Sequence, residues 1–414
     1  MKRERIRILI FPFLICTAVL FLISCGPKTR VAVSQLDTPG HHTFTGLKLL
    51  DQGKYPDAQR EFKMAIQLNN NYSKAYTGLA LVNIFTGKFD AASENLTLGS
   101  KYATSDEEKL FANVSRIRYY SISKSDSKWL EMAKSQFDEA VKIDPKCSPA
   151  YYFMGMVYKD ALEFDLSGQM FAKVIQLKTD HIADANNQLI FLQKVQKARP
   201  TTEAGKKIAL VEQITRADAA VLFIEELKIK DIYIKRAPKV PEMPVKDAPK
   251  VSTDAKDIGN VSADLKQNEK VPAEAPVPAP VNVKLTAKDI VDHPFKTDIE
   301  GILETGLRGL ENDPKGNFNP GEILSRGEYA IMLEDILIKL TGEKDLAARY
   351  VNSKSLFPDV PADIPYFNAI ISVTSKGIME AKDAKTKEFA PLKPLSGVEA
   401  LLIIRKLKDE FKMN

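Results

Sequence analysis

Three cysteines in 414 residues cannot make a disulfide framework, and four histidines cannot make a rich metal centre. A single tryptophan, Trp129, and an aromatic share of 8% leave few large apolar anchors. Net charge is small too. Fifty-nine Lys and Arg face 54 Asp and Glu, a net of +5, which excludes the concentrated basic face that nonspecific nucleic-acid binding requires. The longest uncharged, mostly apolar run covers only the 16 residues 8–23 and contains Pro12, short of the ~20 residues of a spanning helix. No Gly-x-Ser-x-Gly elbow, His-Glu-x-x-His pair or phosphate loop occurs. No catalytic residue, metal or cofactor is therefore expected. What is present, 44% hydrophobic and 27% charged residues, fits a core-forming chain of two or three domains built for binding.

The apolar run follows Lys2, Arg3, Arg5 and Arg7 and ends Leu22-Ile23-Ser24-Cys25, with Gly26 next. A charged start, a short apolar stretch and a small residue before the cut describe an export signal. The ending resembles the bacterial lipobox. That resemblance implies a signal peptide over 1–24, removal of Cys16 with it, lipid on Cys25 and a tether over 25–38. The alternative is an uncleaved anchor with an incidental cysteine. Acyl chains worth ~0.8 kcal/mol per buried methylene would hold the protein on a membrane surface, with Cys147 the only remaining thiol. Gly26 stands where an aspartate would resemble an inner-membrane retention signal. The expected location is therefore the periplasmic face of the outer membrane, or the outer face of the plasma membrane in a one-membrane cell. His41-His42 adjoins the tether without an obvious acidic partner in the sequence.

Beyond the tether the chain repeats itself. Gly53-Lys54-Tyr55-Pro56-Asp57-Ala58 recurs 34 residues later as Gly87-Lys88-Phe89-Asp90-Ala91-Ala92, and the same offset pairs Phe62 with Leu96 and Ala65 with Gly99. Ala133, Phe137, Ala140 and Asp144-Pro145 keep one register, and Ser167, Phe171, Val174 and Lys178-Thr179 follow 34 further on. This pattern resembles the tetratricopeptide repeat. Each unit would be a helical hairpin in which Gly46, Ala80, Gly155, Ala58, Ala92 and Ala133 permit close approach, while Phe62, Leu96, Phe137 and Phe171 fill the space between hairpins. The expected units are 39–72, 73–106, 107–147 and 148–181, then a closing helix at 182–198, with a long loop from Ser121 to Lys128 in the third. Such an array offers a concave surface to a peptide of a partner protein. Arg118, Tyr119, Tyr120 and Tyr152 are the candidates to line it; alternatively, the tyrosines pack between hairpins.

After Pro200 a second pattern appears. Ile214-Thr215-Arg216-Ala217-Asp218 opens an apolar helix, Leu324-Ser325-Arg326-Gly327-Glu328 opens another, and Leu395-Ser396-Gly397-Val398-Glu399 a third. Ser or Thr followed three residues on by an acid is a capping signature. Positive charge in a first turn opposes the helix dipole, which singles out Arg216 and Arg326. Asp289 precedes Ser325 by 36 residues and Asp359 precedes Ser396 by 37, with Gly316-Asn317-Phe318-Asn319-Pro320 and Phe389-Ala390-Pro391 between. These copies resemble S-layer homology (SLH) modules. The resemblance implies a pseudo-threefold helical bundle binding cell-wall polysaccharide or a peptidoglycan-linked polymer. Arg216, Arg326, Asp289 and Asp359 match the glycan-site positions, although the aspartates could instead shape the loops and the arginines could instead be ordinary first-turn residues of a purely structural or protein-binding unit. Gly397 stands where an arginine is expected, which points to a weakened third groove.

The expected chain is thus mainly α: a tetratricopeptide solenoid over 39–198, a truncated module over 199–235, and modules over 286–342 and 352–413. A Pro-rich segment, 236–285, with eight prolines and no aromatic residue, reads as an extended insertion within the three-module unit. Together the pieces describe a non-catalytic envelope lipoprotein. The alternative is an assembly factor for a secretion, pilus or polysaccharide-export machine.

Overall fold

A computed structural model describes residues 29–235 and 286–413. The lipobox with Cys25 and the Pro-rich insertion lie outside these residues. The described chain is helical, and its only extended pairings are two isolated bridges. It divides into two compact units, 1–196 and 197–414.

The first unit holds four hairpins: α1 (Pro39–Asp51) with α2 (Tyr55–Leu68), α3 (Ser73–Phe85) with α4 (Phe89–Tyr102), α5 (Asp106–Ser123) with α6 (Trp129–Ile143), and α7 (Ser148–Asp160) with α8 (Phe164–Leu177); α9 (Ile182–Ala198) follows. Local chemistry sets the helix ends. Proline occupies the first turn of α1, α2 and α7, where its missing N–H costs nothing. Ser105 and Glu108 form a reciprocal capping box at the start of α5. The polar stretch from Ser121 is shorter as a loop than expected, because its first three residues extend α5 to Ser123.

Aromatic-against-glycine packing fixes the hairpin geometry. A β-carbon at Gly46 would lie 2.7 Å from the Phe62 ring and one at Gly155 2.7 Å from the Phe171 ring, so both hairpins close on the same contact, with no room for a methyl group. Phe62 and Phe171 are fully buried. The first helices of successive hairpins, α1, α3, α5 and α7, pack against one another, whereas the second helices scarcely touch each other. The array therefore curves with the first helices on its inner face.

The second unit contains α10 (Glu203–Ala209), α11 (Arg216–Val221, continued by a π-turn to Glu226), α12 (Ile229–Lys235), α13 (Lys296–Thr305), α14 (Arg326–Thr341), α15 (Phe367–Ser375) and α16 (Gly397–Glu410). The buried Glu226 carboxylate accepts the backbone N–H and hydroxyl of both Thr201 and Thr202, pinning the start of this unit. A closed ring of backbone hydrogen bonds lies at its centre. Ile214 N–H donates to Leu395 O at 2.9 Å, Leu395 N–H to Leu324 O at 3.1 Å, and Leu324 N–H to Ile214 O at 2.9 Å. All three residues are buried, and each directly precedes an N-cap: Thr215, Ser325 or Ser396. Three equivalent sites thus close on themselves, and the helices α11, α14 and α16 radiate from the ring.

Candidate binding surfaces of the two units

The orphan N–H groups at the start of each ring helix are satisfied by a neighbouring copy rather than by water. Arg216 and Ala217 N–H donate to Glu322 and Pro320 O; Arg326 and Gly327 N–H donate to Lys393 and Pro391 O; Gly397 N–H donates to Val211 O. The side chains extend the same interlock. Arg216 directs Nε at Phe318 O, Nη1 at Gly309 O and Nη2 at Glu311 O, each at 2.8 Å, and lies over the Phe318 ring. Arg326 directs Nε at Phe389 O and Nη2 at Glu380 O, both at 2.8 Å, pairs with Glu399 and lies over the Phe389 ring. Burial pulls the Arg326 guanidinium down to about 10, still charged at neutral pH, against the opposing effect of Asp359.

These contacts engage both arginines with the neighbouring copy. Arg326 is only 2% exposed, and its fork is occupied by the adjoining copy instead of facing solvent. Arg216 is somewhat more open but is clamped in the same way. The two aspartates shape loops. Asp289 accepts the N–H groups of Phe318 and Asn319, and Asp359 those of Phe389 and Ala390, all between 2.7 and 2.9 Å. The four residues therefore form two equivalent assemblies, in which an aspartate folds a loop whose carbonyls receive the arginine. Asp218 and Glu328 complete capping boxes, whereas Glu399 turns away from its own helix start to Arg326 and Lys382.

Sequence reasoning missed two polar centres in this unit, the Glu226 cluster and one on α14. The buried Glu334 carboxylate accepts from Arg308, Asn368 and Ser372, the last at 3.1 Å. A glutamate on an otherwise apolar helix face, at a position flanked by Leu333 and Ile336, was the available signal.

In the first unit, Arg118 on α5 lies between two rings, 5.0 Å from the Phe85 centroid on α3 and 4.4 Å from that of Phe153 on α7. Burial lowers its pKa to about 10, with the charges of Asp51 and Tyr152 opposing. Tyr152 stacks on His181 at 4.5 Å with the planes 8° apart. Tyr119 is buried edge-on to Phe89 and Tyr120. The structure therefore brings Arg118 and Tyr152 to one aromatic cluster with Phe85 and Phe153, and packs Tyr119 between hairpins. Phe85 and Tyr119 are 34 residues apart, which is the register signal that could have drawn Phe85 in.

His42 has acidic partners after all. Its Nδ1 meets Glu61 at 2.7 Å and its Nε2 meets Asp37 at 2.9 Å, while Arg30 forks the same Asp37. Burial lowers the His42 pKa, but hydrogen bonds to the two carboxylates and their charges outweigh it and leave it raised. Cys147 is buried, and that burial pushes its thiol up, away from reactivity. No described helix is long and apolar enough to cross a membrane, and no metal-binding group of His, Cys, Asp and Glu occurs among the described residues.

No protein-family profile matches the chain. It is 33% identical over 141 residues to the surface-layer 125 kDa protein of Lysinibacillus sphaericus, covering 34% of this chain and 10% of that protein. It is 26% identical over 136 residues to tetratricopeptide repeat protein 6 of Homo sapiens, covering 33% of this chain and 25% of that one. The chain thus spans a quarter or less of the length of these curated relatives. A thermophilic TPR protein of Thermus thermophilus aligns at a TM-score of 0.33 and 17% identity, over 48% of this chain and 96% of that one. Among the described residues the first unit is thus an array of repeated helical hairpins followed by a second helical unit, and over parts of its length the chain is similar to a tetratricopeptide repeat protein and to a surface-layer protein.

Proposed function

We propose that the chain is a non-catalytic bridge of the cell envelope: lipid on Cys25 holds it to a membrane, the repeat array takes a protein partner, and the C-terminal unit grips a wall polysaccharide. The observation that carries the wall-binding part is the closed ring of Ile214, Leu324 and Leu395. It supports three SLH-like modules built around one axis, and the likeness to a surface-layer protein over a third of the chain agrees with it. In this reading Arg216 and Arg326 are positioning residues. They lock the loops at 309–318 and 380–389 that would wall the glycan grooves. Gly397 leaves the third interface without such a clamp.

The test is cosedimentation of the full chain with purified sacculi before and after removal of their attached polymer. Retention only with the polymer present is expected. No retention in either sample favours the second reading, an assembly factor of a secretion, pilus or polysaccharide-export machine. The internal engagement of both arginines supports that reading, because it turns their forks onto the neighbouring copy instead of an anionic sugar.

A further inference from the structure

A guanidinium half withdrawn from water usually has a carboxylate beside it, because lost hydration must be replaced. Three of the four arginines described in the first unit obey this or find a hydroxyl: Arg30 on Asp37, Arg60 on Asp57 and Arg116 on Ser100. Arg118 does not. Among the described residues no acceptor meets its fork, and Asp51 acts on it through charge alone, without an ion pair. Phe85 and Phe153 cover it from neighbouring helices of the inner face. Rings beside a guanidinium attract it and leave its edge, with the paired N–H donors, for a planar acceptor. Lys159 on α7 repeats the imbalance, since among the described residues its ammonium hydrogen-bonds the neutral Gln188, with Asp160 acting on it through charge alone.

We propose that Arg118 is the anchor for a carboxylate side chain of an acidic, apolar-flanked peptide lying along the inner face of the repeat array. This rests on the reading of the array as protein-binding and gives the partner its chemistry. A carboxylate matches the fork bidentately, and two cations without a carboxylate partner favour an acidic over a neutral strand. Phe85, Phe153 and Tyr152 provide apolar surface for the residues on either side of the acid.

The experiment is selection of displayed 12-residue peptides on the full chain held in detergent micelles, followed by affinity measurement of the selected peptides. The expected consensus has Asp or Glu at one fixed position between apolar residues. Replacing that acid by its amide weakens binding about tenfold or more, and Arg118→Gln does the same, with Arg118→Lys between the two. The amide arm keeps the test decisive even if Arg118→Gln unfolds the array. A consensus without acidic residues, or acidic peptides whose amide forms bind within twofold, overturns the proposal. Neutral peptides whose binding is lost in Phe153→Ala would sink it while leaving the array a protein-binding surface. The absence of any selected peptide would sink both.

Discussion

A β-carbon on Gly397 would lie 1.6 Å from the carbonyl oxygen of Ile208, so the third helix of the ring begins where only glycine fits. The first copy is short and has no loop like 309–318. Its segment 208–211 instead runs directly against the start of α16, with Val211 O accepting from Gly397 N–H at 2.9 Å. The missing arginine thus follows from ring closure over a truncated copy. Gly397→Ala should destabilise this unit by about 1–3 kcal/mol through overpacking, with Gly397→Arg worse. Denaturant midpoints of the two variants check this, and an unchanged midpoint for Gly397→Arg would contradict it.

The two arginine clamps should differ in strength. Arg326→Lys removes a buried fork and strands its carbonyl acceptors, at a cost of about 3 kcal/mol. Arg216→Lys, whose Glu311 contact borders solvent, should cost about 1 kcal/mol. Equilibrium unfolding measures both. Two small losses of stability accompanied by loss of polymer binding would instead make the arginines ligand contacts.

The His42 cluster should make the N-terminal segment pH-sensitive. A histidine whose pKa is raised on folding contributes stability in full below its unfolded value of about 6.5 and loses it as pH rises through the folded value. Asp37 is held well below the usual carboxylate range by its hydrogen bond to Arg30, with further bonds from Val33 and His42. Its contribution is present above about pH 3.9 and falls away in acid. Protection of the Arg30 amide, which donates to Gln67 O at 2.6 Å, should therefore be greatest between about pH 4 and 6.5 and decline above neutrality. Hydrogen exchange reads this, and His42→Gln should remove the decline on the alkaline side.

Gly155 and Phe171 should be energetically coupled. Gly155→Ala alone should cost about 1–3 kcal/mol, because its methyl group enters the Phe171 ring. Phe171→Leu alone opens a cavity. In the double variant the methyl group occupies part of that cavity, so the loss should be smaller than the sum of the single losses by about 1 kcal/mol. A double-mutant cycle with additive losses would contradict the contact.

How much of this was legible depended on the range of the interaction. The 34-residue period gave the hairpins, because each depends on small-against-large contacts sixteen residues apart, such as Gly46 with Phe62. Capping boxes at Thr215 and Ser325 were readable for the same reason: both partners lie within one turn. The destinations of Arg216 and Arg326 were not. Apart from Glu399, their acceptors are backbone carbonyls 54 to 102 residues away, and carbonyls leave no mark in a sequence. His42 illustrates the same limit, since Glu61 reaches it only when α2 folds back on α1. Register alone places Arg118 on the inner face, but its enclosure by Phe85 and Phe153 needs three helices to assemble.

The most direct test of the bridge joins its two ends in one tube. The processed full chain is reconstituted through its N-terminus into fluorescent vesicles, mixed with sacculi and sedimented at low speed. Vesicle fluorescence should pellet with intact sacculi and remain in solution with polymer-stripped sacculi or with Cys25→Ser protein. Fluorescence that stays in solution with intact sacculi, while the vesicles demonstrably carry the chain, would contradict the account.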